Sequence, residues 1–479
     1  MLKRIQTQTA HNVLCYPVAA TIFPTLFPRA QFDRAWGLQS VYNELYCILA
    51  ADERWIYDTI KDLFPVDTFA VALWEIHQRV KETGGYAQDI SAGIFRSDYM
   101  LQGDGVEMGS DKSTDPGSEL GLKQVEFNTI SCAGGCHANK VVDMHRHLAR
   151  TGAYSSLVSE NLVNLSAVPR NTNIDSLATS LAEAHKIYGP PKSKTAETAV
   201  LFIVQPDNFN VADERPIEYA LWDKNVPAYR LEWGTDVLQY TSLSDTKQLL
   251  FHPPWRASQK PMEISVVYWR AGHEPHEYDE TGKELRLRLE QSRAIKCPSL
   301  LAHILTFKKV QQALTVPGVL EKFLAPEKVA AIRETFVPMY PLDDSEAGQH
   351  ARSLAMDPEL AEDYILKPSL EGGGHNIFGA DLPGFLSSVP QSSWSAYVLM
   401  ERIPSPLVGN VLKSPQGIES SAVISELGVF GACLWRQTDH GCEILQNATA
   451  GWSLKTKYTD IDEMSVVKGY GCFDTPLLC

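Results

Sequence analysis

Residues Ile365 to Asn376 read Ile-Leu-Lys-Pro-Ser-Leu-Glu-Gly-Gly-Gly-His-Asn. A short apolar run, Tyr364 to Leu366, ends in Lys367, and Glu371 is followed at once by Gly372, Gly373 and Gly374. This pattern predicts a strand that ends at Lys367 and opens into a loop. Consecutive glycines expose backbone N–H groups and let an oxyanion approach closely, which suits a nucleoside triphosphate. Lys367 supplies a point charge for phosphate. Glu371 supplies the hard oxygen that Mg²⁺ takes alongside phosphate oxygens. The spacing is neither the P-loop pattern nor the dinucleotide fingerprint. A surface loop between strands accounts for the glycines equally well, so the stretch alone specifies an anion loop.

A second pair of oxygen-bearing side chains lies on Leu122 to Ile130, which alternates as a strand should. Glu126 and Asn128 then share one face. Buried, they need a partner, and a metal is one option; a solvated face is the other. His145 and His147 fall inside a helical pattern over 137–189, where that spacing does not share a face, so no metal site is read there.

The elements that must position these groups follow from periodicity. The first thirty residues hold Pro17, Pro24 and Pro28 and read as an extended arm. Residues 31–85 are helical: Phe32, Trp36, Leu38, Val41, Tyr42, Leu45 and Leu49 recur at three- and four-residue steps, and Trp74, Ile76 and Val80 continue the series as core positions. Residues 103–119, rich in Gly, Ser and Asp, read as an exposed loop. After the linker-like Pro190 to Lys194, strands at 199–204, 228–231 and 264–270 with a helix at 217–222 predict a small α/β unit over 198–300. A charged helix is expected over 284–295, another from Lys308, and strands at 397–403, 422–431 and 453–457.

With 479 residues, the length suits about three domains. A hydrophobic fraction of 44% and a charged fraction of 21% describe an ordinary globular chain. The net charge of −15 argues against general nucleic-acid binding and requires local cations for any anionic substrate. Nine cysteines, without a CxxC pair, fit a reduced, cytoplasmic setting better than a disulfide framework. No signal peptide is expected, since no apolar run follows Lys3 and Arg4, and no membrane span is expected either.

In order along the chain, RSDYM at Arg96, VEFNTIS at Glu126, VVYWR ending at Arg270, KKVQQ at Lys308, LKPSLEGGG at Lys367, LMERI at Met400, ISELGVFG at Glu426 and LKTK at Lys455 make a specific set. The chain resembles eukaryotic glutathione synthetase, an ATP-grasp carboxylate–amine ligase. The resemblance implies an α/β (α+β) ATP-grasp fold with a small inserted substrate-binding domain and a helical N-terminal region. The divisions it suggests are 1–197, 198–300 and 301–479.

It also implies ATP and Mg²⁺ as cofactors. Glu126, Asn128 and Glu371 match magnesium ligands. Lys308 and Lys367 match lysines on the phosphates, and with Arg96 and Glu371 form the expected catalytic set. Gly372, Gly373, Gly374 and Asn376 match the loop that closes over the triphosphate, with Phe378 where the family often has Tyr. Met400, Glu401, Arg402 and Ile403 match the adenine hinge. Glu426 and Lys457 match further nucleotide contacts, and Glu463 stands for an acidic neighbour. The chemistry implied is attack of a carboxylate on the γ-phosphate, giving an acyl phosphate and ADP, then displacement of phosphate by an amine. The charge that builds on phosphoryl and tetrahedral oxygens is what magnesium and lysines stabilise.

The acceptor side departs from the family pattern. Arg96 and Arg270 match arginines that hold substrate carboxylates, which suits a bidentate guanidinium. Asn210 is kept. Asn208, however, stands for Glu, and Glu214 for Gln. After Ser131 and Cys132, Ala133 and Gly134 replace Ser-Phe. Ala271 and His273 replace Asp and Tyr. Lys455 replaces an Arg on the glycine carboxylate, and Val466, Val467 and Lys468 replace a smaller loop. Loss of a charged partner for the glutamyl ammonium suggests a ligase that joins a small dicarboxylic acid to an amino acid. Glutathione synthetase proper, acting on γ-glutamylcysteine and glycine, is the alternative, and a non-catalytic nucleotide-binding scaffold the third reading. The partners implied are small carboxylic and amino acids and a second copy in a homodimer, with neither nucleic acid nor membrane.

Overall fold

The computed structural model describes residues 2–6, 13–103, 107–108, 120–154, 163–193, 197–208, 210–256, 260–369, 375–414, 417–439, 441–466 and 469–479. Glu371, Gly372, Gly373, Gly374 and Val467, named above as site residues, lie outside the described residues.

A large mixed sheet of 14 strands carries the molecule. At its middle the long antiparallel partners Gly417–Thr438 and Gly441–Tyr458 run together. Ile90–Gln102 pairs antiparallel with the first of these, and Gly121–Asn128 pairs with Ile90–Gln102 in turn. The register sets Arg96 opposite Asn128 and Phe430, Asp98 opposite Glu126 and Gly428, and Glu426 opposite Met100 and Lys455. Directly paired residues share a face and alternate residues return to it. Arg96, Asp98, Glu126, Asn128, Glu426, Lys455 and Lys457 therefore stand on one side of one sheet.

The sheet continues through parallel strands. Ile295–Cys297 pairs with Ile90–Gln102 and Met262–Arg270; Met262–Arg270 pairs with Thr198–Val204, and that strand with Ala228–Glu232. Thr198–Val204 is apolar after its first residue and Met262–Arg270 is buried along its whole length, as expected when helices such as Asn173–Tyr188 and Val211–Asp223 cover the sheet. A separate four-stranded sheet joins Met339–Pro341, Tyr397–Glu401, Tyr364–Pro368 and Ile377–Phe378. It has its own core of Leu342, Ala351, Leu366, Leu382, Leu386 and Leu399.

Helices form where periodicity placed them: Arg29–Ala50, Glu53–Ile60 and Thr68–Glu82. Asp52 and Asp67 cap the second and third by accepting backbone N–H bonds from Trp55 and from Phe69 and Ala70. Tyr42 and Tyr46 of the first helix stack on Phe127, at 5.5 and 3.9 Å between ring centres. This fixes the strand that carries Glu126.

Some expectations change. Trp36, read as part of the core stripe, is 37% exposed, because the buried stripe runs through Phe32, Ala35, Leu38, Tyr42 and Leu45 instead. The arm at the start holds short paired strands, among them Ala20–Thr21 and Thr25–Phe27. The charged helix is Glu280–Glu290, and Ile295 begins a strand. In the 103–119 segment Glu107–Met108 pairs with Leu407–Ser414.

Candidate active site

A cavity of about 520 Å³ lies between the site face of the large sheet and the four-stranded sheet. Lys367 is the next-to-last residue of the strand Tyr364–Pro368 and Lys308 begins the helix Lys308–Thr315; both are buried. They converge on Glu126. The Lys308 Nζ lies 2.8 Å from its carboxylate, and Lys367 Nζ donates to the Val125 carbonyl at 3.2 Å. Burial alone would raise the Glu126 carboxyl. The charges of Lys308 and Lys367, with bonds from Lys308 and Asn128, overcome this and hold it well below the ordinary carboxylate range. Lys367 is itself lowered, by burial first, with Lys308 adding to the effect against Glu126.

Asn128 Nδ2 donates to Glu126 at 2.9 Å and to Asp98 at 2.8 Å. Asp98 is fully buried and takes a forked contact from Arg96, at 2.8 Å from Nε and 2.7 Å from Nη2. Glu426 also lines the cavity and contacts Lys455 directly. Burial raises Glu426, and Asp98 and Glu126 add to that against the opposing charge of Lys455. Gly428 makes the arrangement possible. A Cβ there would meet Asp98 Oδ1 at 2.6 Å, Ser453 Oγ at 2.7 Å and Arg96 Cδ at 2.9 Å.

The residues that the resemblance assigns to nucleotide come together. Lys308, Lys367, Asn376, Phe378, Met400, Glu401, Arg402, Ile403, Glu426, Lys457 and Glu463 all line the cavity with Glu126 and Asn128. Lys457 is lowered by burial and donates to the carbonyls of Ile461 and Asp462. Asn376 Nδ2 reaches Glu463 at 3.4 Å. Glu126 and Asn128 offer an ionised carboxylate and an amide, a donor set that fits a hard cation. Among the described residues, no group of three His, Cys, Asp or Glu side chains that could hold a metal is present.

At the acceptor end, Arg96, Ser131, Cys132, Ala133, Asn210, His273, Lys455 and Val466 line the same cavity. Asn208, Glu214 and Arg270 do not; they lie behind its wall. Arg270 Nη1 donates to the Cys132 carbonyl at 2.6 Å, Nη2 to Asp213 at 3.2 Å and Nε to Glu214 at 3.4 Å. Asn208 Nδ2 is turned onto Glu214. The buried guanidinium is held by two protein carboxylates and a backbone carbonyl.

The sequence family described as "Eukaryotic glutathione synthase, ATP binding domain" matches residues 1–478. The chain belongs to the eukaryotic glutathione synthetase family. Curated relatives carry the same name. The glutathione synthetase large chain of Schizosaccharomyces pombe is 32% identical over 473 residues, covering 95% of this chain and 89% of its own. The glutathione synthetase of Homo sapiens is 32% identical over 484 residues, covering 99% and 93%. That of Dictyostelium discoideum is 31% identical over 486 residues, covering 100% and 95%. Among solved structures, a glutathione synthetase-like effector from Globodera pallida, in apo form, superposes with TM-score 0.71 at 19% identity, over 97% of this chain and 91% of that one. The fold is the glutathione synthetase form of ATP-grasp, and the family supports an ATP-dependent ligase.

Sequence reasoning missed three residues that build this glutathione synthetase family site. Asp98 sits in RSDYM, and an acid two residues from Arg96 on a strand was the available signal. Asp213 accepts N–H bonds from Gly134 and Cys136 at 2.9 Å and so fixes the start of the helix Gly135–Arg150. Gln205 lines the cavity at the end of Thr198–Val204. Nothing local in the sequence marks the last two.

Proposed function

We propose that the chain is an ADP-forming ligase that activates a carboxylic acid as an acyl phosphate on Mg-ATP and couples it to an amino acid. The observation that carries this reading is the convergence of Lys308 and Lys367 on Glu126, beside the 400–403 hinge, in one cavity. Magnesium supplies charge neutralisation between phosphates. Glu126 and Asn128 would hold it with Glu371. Lys308 and Lys367 stabilise the transferring phosphoryl group. Lys308 meets Glu126 in this structure and stands beside the space that phosphate would fill. The four-stranded sheet excludes water from the anhydride.

The names of the relatives favour γ-glutamylcysteine and glycine as the substrates, that is, glutathione synthetase proper. Asn208, where the resemblance expects Glu, is what a second reading rests on, a small diacid in place of the dipeptide. ADP release with γ-glutamylcysteine plus glycine, against a panel of diacids with amino acids, tests the choice. The first reading expects the dipeptide to be preferred; a diacid used better replaces it with the second. Tight ATP binding with no ADP release on any pair points to the scaffold.

The division at 1–197, 198–300 and 301–479, the homodimer and the cytoplasmic setting are proposals as well. Among the described residues no helix is long and apolar enough to cross a membrane, and the eight cysteines there form no disulfide. Light scattering on the full chain tests the homodimer; a monomer mass contradicts it.

A further inference from the structure

The side-chain amide of Asn128 has two unlike edges, and two carboxylates decide which way it faces. Nδ2 donates to Glu126 Oε1 at 2.9 Å and to Asp98 Oδ2 at 2.8 Å. A carboxylate that holds a guanidinium or an ammonium accepts hydrogen bonds and donates none, and an amide donates only through its nitrogen. With both hydrogens of Nδ2 taken, Oδ1 is the remaining edge. It accepts no side-chain bond among the described residues, and Asn128 lines the cavity.

Asp98 is held firmly in place for this. It is fully buried and is not itself among the lining residues. Arg96 grips it through Nε and Nη2, at 2.8 and 2.7 Å, and Arg96 is in turn tied to the Ala133 carbonyl at 2.9 Å. Gly428 packs against it from the neighbouring strand, where a Cβ would meet Asp98 Oδ1 at 2.6 Å. The strand pairing also shifts at this point, between the pairs Asp98–Glu126 and Tyr99–Gln124. A bulge of that kind re-aims side chains beside active sites. Glu126 is the looser guide, because it is shared with Lys308.

We propose that Asp98 is a positioning residue that locks the Asn128 amide with its oxygen toward the divalent cation. The inference rests on the assignment of Glu126 and Asn128 to that cation. Asp98 touches neither cation nor substrate; it acts through Asn128. Partners one step behind a metal ligand fix its orientation, and their loss weakens metal affinity by about tenfold to a hundredfold.

The test is calorimetric titration of the full chain with β,γ-imido-ATP, which cannot transfer its terminal phosphate, with and without Mg²⁺. The parent is expected to bind more tightly with Mg²⁺. Asp98→Asn keeps the shape of the side chain but no longer demands a donor from Asn128. Its gain from Mg²⁺ is expected to fall by about tenfold or more, with binding in the absence of Mg²⁺ little changed. Asn128→Asp supplies two equivalent oxygens that need no orienting, so adding Asp98→Asn to it is expected to cost little of the gain. Equal gains in the parent and Asp98→Asn overturn the proposal alone. An equal loss in both backgrounds shows that Asp98 acts by charge and overturns it. A loss that is the same with and without Mg²⁺ is what a purely structural role produces, and it overturns the proposal too. A parent with no gain from Mg²⁺ overturns the cation assignment and the proposal with it. If Asp98→Asn does not fold, a crystal of the parent with Mg²⁺ and the same analogue decides. Asn128 Oδ1 is expected about 2.1 Å from the cation, with Nδ2 still on Asp98; a cation that does not meet Asn128, or an amide turned away from Asp98, overturns the proposal.

Discussion

The two ends of the cavity handle their cations in different ways. At the end that the resemblance assigns to nucleotide, Lys308 and Lys367 share Glu126 among the described residues, with Glu426 and Glu463 also acting on Lys367. At the acceptor end, each cation has its own carboxylate: Arg96 has Asp98, Lys455 has Glu426, and Arg270 has both Asp213 and Glu214. An excess of positive charge in a buried space is held at a cost and is repaid by an anionic ligand. A neutralised set costs less and binds anions less. On the proposed reading the first end takes phosphate, and the second holds its shape and discriminates by fit.

The largest effect expected from breaking this contrast is at Lys367. Lys367→Met removes a cation aimed at the phosphates and should lower kcat by about a hundredfold to a thousandfold, with the melting temperature little changed, since the buried ammonium is itself costly. A steady-state assay beside a thermal melt checks both; activity within tenfold of the parent contradicts the role. Next is Asp98, which serves both ends. Asp98→Ala leaves Arg96 without its partner and should destabilise by about 3–5 kcal/mol, read by urea unfolding. A loss below about 1 kcal/mol would mean that the pair is not holding the wall. Gly428→Ala drives a methyl into Asp98, Ser453 and Arg96 and should cost about 1–3 kcal/mol.

Glu126 gives a pH signature. Its carboxyl is held well below the usual range: burial raises it, and Lys308 and Lys367 more than offset that. A depressed folded value means that the contribution to stability is fully present above the unfolded carboxylate range and is lost as pH falls through the folded value. The melting-temperature gap between Glu126→Gln and the parent should therefore be widest near neutral pH and close in acid. A gap that does not narrow down to about pH 3, below the ordinary carboxylate values, contradicts the linkage. The smallest effect is at Asn208. Asn208→Glu restores the residue type that resemblance expects, but it sets a second carboxylate against buried Glu214. The expected result is a fall of a few degrees in melting temperature and no better use of γ-glutamylcysteine; improved use would show that the position does read the substrate.

Much of this was legible in the sequence because strand registers carry it. Glu126 and Asn128, two apart on an alternating strand, had to share a face, and the apolar run into Lys367 had to end at the cavity. The ordered motifs gave the fold. What was not legible depends on contacts across long separations. Asp98 gains its role from a neighbour on Gly121–Asn128 and another on Gly417–Thr438. The placement of Arg270 behind the wall follows from Asp213 and Glu214, two residues whose spacing from it says nothing. Trp36 was misread because a helix stripe narrower than the periodic set leaves its edge in solvent.

On the proposed reading, an acid is converted to a mixed anhydride with phosphate in this cavity. Label transfer tests it most directly. γ-Glutamylcysteine carrying ¹⁸O in its cysteinyl carboxylate is turned over with Mg-ATP and glycine, and the released phosphate is weighed by mass spectrometry. One ¹⁸O atom per phosphate is the predicted result; turnover that leaves the phosphate unlabelled contradicts the account.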